Sequence, residues 1–436
     1  MTLRSYGVLC LVACALTAQA QSTPESPTIR ALAQAVEAGS TSAEEAFWRQ
    51  VTERGTPLVE RTDEDTDYAL VTFVWKGPQS TGRVVVSGQL GQLTGTRSVD
   101  NELTLLPRTA VWYRSYWLRK DARATYQMGT IAPQSPPTAA PDLVADPLNP
   151  KKAPPGIPIS ILELPGAPPE QWTQESPAIP KGVLAVSTWR SAILDNERQL
   201  RIYTPPGYRR DAEPYSLFVT SDGDTIVENL AVPTVLDNLT AAGRIPPTVA
   251  VFIGSGGATA AARSAEQNAN PRYADMVVRE ILPWIRSTYN VTQDPRRTTI
   301  GGASLAGLTA AFIAFRNPDL FGNVLSMSGS YWWKPAGDPE GEWLTRQFAA
   351  APTAPLNFFL SVGRFEAGST DGGPRDFLQR SSIPYAPSML VVNRHLRDVL
   401  QAKNYPVQYL EVSSGHNPAN WRYVLPLGLI ALLGRK

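Results

Sequence analysis

The stretch RRTTIGGASLAGLTAAFIAF, residues 296 to 315, places Ser304 where a strand-like pattern gives way to a helix-like one. A serine hydroxyl is a weak nucleophile until a neighbouring base takes its proton, and near neutral pH that base is usually histidine. The chain has two histidines. His395 lies in SMLVVNRHLRDVLQAK, an amphipathic helical pattern in which a surface or capping role is the ordinary reading. His416 follows the strand-like VQYLEV in the loop SSGHNPANW, where a Ser, acid, His chain order places its base. A carboxylate that orients the imidazole and stabilises its charged form is expected between them, after a strand. The segment LNFFLSVGRFEAGSTDGGPRD supplies Glu366 soonest, with Asp371 and Asp376 further along.

The serine motif by itself is ambiguous. G-x-S-x-G is only approximated, because Gly302-Ala303-Ser304-Leu305 is followed by Ala306. An elbow that holds its serine strained needs small neighbours so that helix and strand approach closely, and Gly301, Gly302, Ala303, Ala306 and Gly307 supply them. A small-residue turn without chemistry would read the same way. Stabilising a tetrahedral oxyanion takes two backbone N–H groups. One is expected from Leu305, and a second from Gly223 or Asp224 in the turn SDGD; no HGGG-type motif is present.

Aromatic and cationic residues gather around these positions: Tyr331, Trp332, Trp333 and Lys334 in SMSGSYWWKP, and Trp421 and Arg422 just beyond His416. Such side chains suit a flat aromatic substrate by stacking and an anionic one by ion pairing. The competing reading is that the tryptophans are core. No C-x-x-C, H-E-x-x-H, P-loop or dinucleotide fingerprint occurs, so neither a metal nor a nucleotide cofactor is implied.

The elements that must position these groups follow from periodicity. From residue 182 to 436, strand-like and helix-like patterns alternate, which predicts an α/β domain with a mostly parallel sheet covered on both faces and its active residues at the carboxyl ends of the strands. Before it, residues 21–135 begin with two short helices and continue as alternating β-branched and aromatic runs such as YALVTFVWKG and GRVVVSGQL. That pattern predicts a small β-sandwich of the immunoglobulin-like (E-set) kind. Residues 136–181 are dense in proline and read as an extended linker or strap without regular ladders. The apolar C-terminal run YVLPLGLIALLG reads as a buried closing helix.

The 436 residues carry a net charge of +1 and no run of like charge, which gives no basis for nucleic acid or an anionic membrane surface as a partner. Residues 1–20 combine Arg4, an apolar run from Val8 to Leu16 and the small-residue pattern Ala18-Gln19-Ala20, the signature of a secretory signal peptide. Cleavage there would remove one basic residue and both cysteines, Cys10 and Cys14, leaving a formally neutral periplasmic or secreted chain without disulfides. Leu11-Val12-Ala13-Cys14 also resembles a lipobox, preceded by a very short apolar segment. No run reaches the roughly 20 apolar residues of a membrane helix.

Together, FWRQVTERGTPLVE, VTFVWKGP, LPRTAVWYRSYWLRKDARATYQM, DPLNP, RQLRIYTPPGY, SDGD, RSAEQNANPRYADMVVREILPWIRSTY, GGASLAGLTA, SGSYWW and SGHNPANWR resemble the enterochelin (ferric enterobactin) esterase family, in the esterase-D-like branch of the α/β hydrolases. The resemblance covers nearly the whole chain after residue 20. It implies hydrolysis of the trilactone of catecholate siderophores for iron release, with Ser304 as nucleophile, His416 as base and Glu366 as acid. It further implies that Trp332, Trp333, Arg263 and Trp421 contact the catechol rings and the negative charge of the chelate. Two departures stand out: Ala306 for glycine, and Ser414-Gly415-His416-Asn417 for Gly-Gly-His-Asp. Members in the cytoplasm lack a signal, so this chain resembles a periplasmic version. An esterase acting on feruloyl or acetyl sugars, and a ligand-binding protein of the same fold without catalysis, are the rival expectations.

Overall fold

The computed structural model describes residues 26–60, 67–88, 101–136, 139–152, 158–257, 259–367 and 388–434. The expected signal segment with Cys10 and Cys14, and the alternative acids Asp371 and Asp376, lie outside the described residues.

Two helices open the described chain, α1 (Pro27–Glu37) and α2 (Ala43–Arg54). The Ser26 hydroxyl caps α1 by accepting from the Ile29 N–H, and Gly55 ends α2 at φ 79°. Eight strands follow: β1 (Leu58–Glu60), β2 (Tyr68–Lys76), β3 (Arg83–Gly88), β4 (Thr104–Leu105), β5 (Val111–Arg119), β6 (Arg123–Ile131), β7 (Asp142–Val144) and β8 (Ser160–Glu163). One sheet runs β1-β2-β5-β4, and the other is β3-β6 with β7 and β8 both on the free edge of β6. Val71 and Phe73 of the first sheet meet Val84, Val86, Tyr126 and Met128 of the second in one core. Val74 and Val111 face the other way, against Ile29, Phe47 and Trp48 of the helices.

The proline-rich segment departs from the expectation that it forms no ladder. Its prolines bracket β7 and β8 rather than interrupt them, so each short stretch keeps the N–H groups it needs to pair with β6. Between the two strands, Asp146 is buried and accepts from the Thr56 hydroxyl and the Tyr126 phenol, both at 2.7 Å. Burial, reinforced by the Asp146 charge, pushes the Tyr126 phenol well above its ordinary pKa, so it stays a donor. The DPLNP motif is therefore a structural tie.

A third sheet has eight strands: β9 (Val183–Ser191), β10 (Asn196–Thr204), β11 (Ser216–Ser221), β12 (Thr248–Ile253), β13 (Thr298–Ala303), β14 (Asn323–Met327), β15 (Asn357–Gly363) and β16 (Val407–Val412). Their order is β9-β10-β12-β11-β13-β14-β15-β16, antiparallel over the first two pairings and parallel across the remaining five. This is the α/β-hydrolase strand plan. The helices between strands are α3 (Ile226–Asn229), α4 (Val232–Ala241), α5 (Ala260–Gln267), α6 (Pro271–Met276), α7 (Leu282–Thr288), α8 (Leu305–Arg316), α9 (Trp343–Ala350) and α10 (Met389–Ala402), and α11 (Pro418–Leu433) follows the last strand.

Strands β11 to β14 are buried at every residue, as expected of a parallel sheet with both faces covered. Leu217 and Val219 pack on one face, Phe218 on the other, so the strand period of two splits the core into two layers. The C-terminal run is α11, with Val424, Leu425, Leu429 and Leu433 in the second layer. Among the described residues, no helix is long and apolar enough to cross a membrane.

Candidate active site

Because β13, β14, β15 and β16 are adjacent and parallel, their carboxyl ends converge on one edge of the sheet. Ser304 follows β13, Ser328 follows β14, Glu366 follows β15 and His416 follows β16. Four residues spread over more than a hundred positions meet there by topology alone.

Ser304 sits at φ 61° and ψ −124°, a conformation that costs a non-glycine residue on the order of 1–3 kcal/mol. The surroundings hold it there. Its N–H donates to the Met327 carbonyl at 2.9 Å, and its own carbonyl accepts from Gly307, Leu308 and Ser330. The methyl group of Ala306 explains why glycine is not needed at that position. It lies against Gly302, where an added Cβ would come within 2.5 Å of it, so the smallness has moved to the other side of the contact. A side chain at Gly307 would meet the Ser326 hydroxyl at 2.7 Å.

The His416 Nε2 is 2.9 Å from the Ser304 Oγ, and its Nδ1 is 2.7 Å from the Glu366 Oε2. The Glu366 side chain is 2% exposed and its other oxygen is satisfied, accepting from the Ser328 hydroxyl at 2.6 Å and the Gly363 N–H at 2.8 Å. A carboxylate accepting at Nδ1 keeps the proton on that nitrogen, which leaves Nε2 free to take the serine proton. Trp421 closes the ring of contacts: its edge packs on His416 at 5.0 Å and 89°, and its indole N–H donates to the Ser328 Oγ at 3.1 Å.

The expected oxyanion donors separate. Leu305 is the first residue of α8, whose opening N–H groups have no partner within the helix. Gly223 is a correction: its N–H donates to the Ile253 carbonyl at 2.9 Å and is not available to a ligand. Gly223 is glycine for a packing reason, since a Cβ would lie 2.6 Å from the Phe252 backbone. Asp224 is left as the candidate in that turn, with its carboxylate held by Arg201 and by the Ser255 N–H.

The aromatic and cationic residues also divide. Trp332 is buried in the core, which corrects its expected role as an open stacking face. Trp333 is half-buried and meets Trp343 edge-on at 5.8 Å. Tyr331 is fully buried and donates to the Ser326 hydroxyl; burial pushes its phenol up, so it stays neutral. Arg263 is held by a bidentate pair with Asp222 at 2.6 and 2.7 Å, and Gln267 donates to the same carboxylate. Trp421 touches His416 rather than standing apart as a ligand platform.

Comparison with known proteins gives the family of the chain. Residues 70–173 match the family model "Enterochelin esterase, N-terminal", and residues 191–432 match the one described as "Putative esterase". Over 411 residues the chain is 30% identical to the iron(III) enterobactin esterase of Dickeya dadantii, covering 87% of this chain and 91% of that one. The chain belongs to the enterochelin esterase family. It is a carboxylic ester hydrolase.

Within the family, the esterase is 28% identical to the iron(III) salmochelin esterase of Escherichia coli over 354 residues, covering 74% of this chain and 82% of that one. The crystal structure of the Shigella flexneri enterobactin esterase in the presence of enterobactin superposes with a TM-score of 0.71 at 27% identity, covering 89% of this chain and 97% of that one. The ferric enterobactin esterase of Salmonella typhimurium also superposes at 0.71 and 27% identity, covering 89% and 98%. In the esterase, sequence reasoning missed Ser328 as a donor to the acid and the Trp421 indole N–H as a donor to Ser328. The only signal for Ser328 was its place directly after the strand NVLSM, one strand over from Ser304.

Proposed function

We propose that this esterase hydrolyses the trilactone esters of a catecholate siderophore such as ferric enterobactin by Ser-His-acid catalysis, in the periplasm. Ser304 attacks the ester carbonyl while His416 Nε2 takes its proton, and Glu366 stabilises the imidazolium. The tetrahedral oxyanion is held by the Leu305 N–H and a donor from the Asp224 turn. As the intermediate collapses, His416 returns the proton to the departing serine alkoxide of the siderophore, leaving an acyl-enzyme. Water activated by His416 then releases the acid. Each opened ester loosens the scaffold that holds three catechols on one iron, which lowers the advantage of a preorganised ligand.

The observation that carries the chemistry is the unbroken Ser304–His416–Glu366 chain at 2.9 and 2.7 Å with its acid buried. The substrate class is supported by relatives named as enterobactin and salmochelin esterases and by a solved relative described in the presence of enterobactin. Export is supported by Arg4, the apolar run and Ala18-Gln19-Ala20.

Purified protein incubated with ferric enterobactin and, separately, with a feruloylated sugar distinguishes the substrates by chromatography. Linear ester products from the first and none with Ser304→Ala are expected. Turnover of the sugar ester alone would overturn the substrate assignment, and turnover of neither would overturn the catalytic one. Sequencing the mature N-terminus from a periplasmic fraction tests export, with Gln21 expected first.

A further inference from the structure

We propose that the N-terminal sandwich is a positioning element of the hydrolytic machinery, because its β5–β6 turn and the strap after β8 clamp the two loops that carry Glu366 and His416. The proposal rests on the serine-esterase reading above.

The contacts fall on the residues next to the catalytic ones. Phe365, which immediately precedes Glu366, leaves its own domain and is buried in the sandwich core beside Phe73, Leu118, Ala122 and Leu164. It is the one residue from beyond position 182 in that core among the described residues. On the histidine side, the Arg123 N–H at the start of β6 donates to the Ser413 carbonyl at 2.9 Å. The two loops are then joined to each other: the Phe365 N–H donates to the Ser414 carbonyl at 3.0 Å, and a Cβ on Gly363 would lie 2.2 Å from that same oxygen.

A third attachment reaches the helix behind His416. The Arg123 side chain is buried, paired with Glu163 at 3.3 Å and Glu170 at 3.4 Å, and its guanidinium lies 5.6 Å from the Tyr423 ring. Arg422, beside it on α11, pairs with Glu170 of the strap at 3.2 Å. Trp421, which touches both His416 and Ser328, is the preceding residue. A domain that served only as an appendage could attach anywhere on the hydrolase surface. The sandwich attaches at 365, at 413 and at 423, bracketing the acid and the base, while the strap holds Arg422 and is itself anchored on α4 by Asn238, which donates to the Trp172 and Gln174 carbonyls. A shift of about 1 Å in such groups is enough to cost roughly a hundredfold in rate.

The test uses the full chain with Phe365→Ala, the conservative Phe365→Leu, and Tyr423→Leu as a handle outside the acid loop. Two readouts are taken: kcat and KM on p-nitrophenyl acetate, and nitrogen-proton NMR of the imidazole rings, which is tractable because the chain has two histidines. Phe365→Ala is expected to lower kcat roughly tenfold to a hundredfold with KM within about twofold. It is also expected to broaden or abolish the Nδ1–H resonance of His416 while that of His395 is unchanged. Phe365→Leu should recover most of both, and Tyr423→Leu should show a smaller loss of the same kind, which carries the test if Phe365→Ala does not fold. A folded Phe365→Ala or Tyr423→Leu with wild-type kcat and His416 signal overturns the proposal. If wild type cleaves no ester, the esterase reading falls while the NMR readout still decides the clamp.

Discussion

Both histidines of this chain rest a ring nitrogen against a glutamate, yet the two pairs differ in almost everything else. His395 on α10 has Nδ1 3.0 Å from each oxygen of Glu342, with its side chain 49% exposed. His416 has Nδ1 2.7 Å from one oxygen of a carboxylate that is 2% exposed and has its other oxygen occupied by Ser328 and Gly363. At the surface, water and screening leave such a pair worth little. In the buried pair, each partner is fixed by a second bond, and the opposite ring nitrogen faces a hydroxyl. What separates a relay from an exposed histidine-glutamate contact is therefore the deeper burial of the acid, 2% exposed against 18%, and the second partner on each group, since the contact itself is common to both.

This contrast can be broken most severely at the bases themselves. His416→Ala is expected to cut kcat on an ester by roughly 10,000-fold or more, as removal of a triad base does, while His395→Ala should stay within about twofold; steady-state kinetics on one chromogenic ester compares them. Next come the acids. Glu366→Gln should cost roughly 1,000- to 10,000-fold in kcat, because an amide no longer holds the imidazole in the productive tautomer or stabilises its charge, whereas Glu342→Gln leaves kcat unchanged.

The supporting bonds should matter less. Ser328→Ala removes one donor to the buried carboxylate, a bond worth about 1.5–3 kcal/mol to a charged group, so a loss of about tenfold in kcat is expected. Trp421→Phe keeps the ring on His416 and removes only the N–H to Ser328, for about a threefold loss at constant KM.

The smallest effect lies beside His395. The Arg394 guanidinium, hydrogen-bonded to Glu411 at 2.7 and 2.8 Å, holds that carboxyl below the ordinary glutamate range despite partial burial. A depressed folded-state pKa contributes stability that is present above the unfolded glutamate value and is lost as pH falls through the folded one. Arg394→Gln should therefore lower Tm by about 1–2 °C at pH 7, and the difference should vanish under acid. Thermal melts across pH check this.

Much of the site is legible in the sequence because an α/β chain puts its chemistry at strand ends. RTTIGGA, LNFFLSVG and VQYLEV read as strands, and the first Ser, Glu and His beyond them are the three groups that meet. Relations set by packing between distant segments are not legible. Nothing local to Ser328 announces that it donates to Glu366, since the contact arises from β14 lying beside β15. Nothing in SDGD shows that the Gly223 N–H is consumed by Ile253, a partner supplied by the neighbouring strand. Adjacent tryptophans cannot reveal which one turns inward, and the structure buries Trp332 more deeply than Trp333. Proline density likewise hid two short strands, because pairing along one edge of β6 needs only the few residues between prolines. The placement of Phe365 in the other domain's core is of the same kind: a phenylalanine after a strand carries no mark of where its ring will go.

Hydrolysis by this route requires Ser304 to form a covalent intermediate with the siderophore. Mixing the protein with ferric enterobactin, quenching with acid within the first turnover and mapping the digest by mass spectrometry tests this directly. An acyl adduct on the peptide containing Ser304, absent from Ser304→Ala, is the predicted result. Rapid cleavage of the siderophore with Ser304 unmodified, or at the same rate in Ser304→Ala, would contradict it.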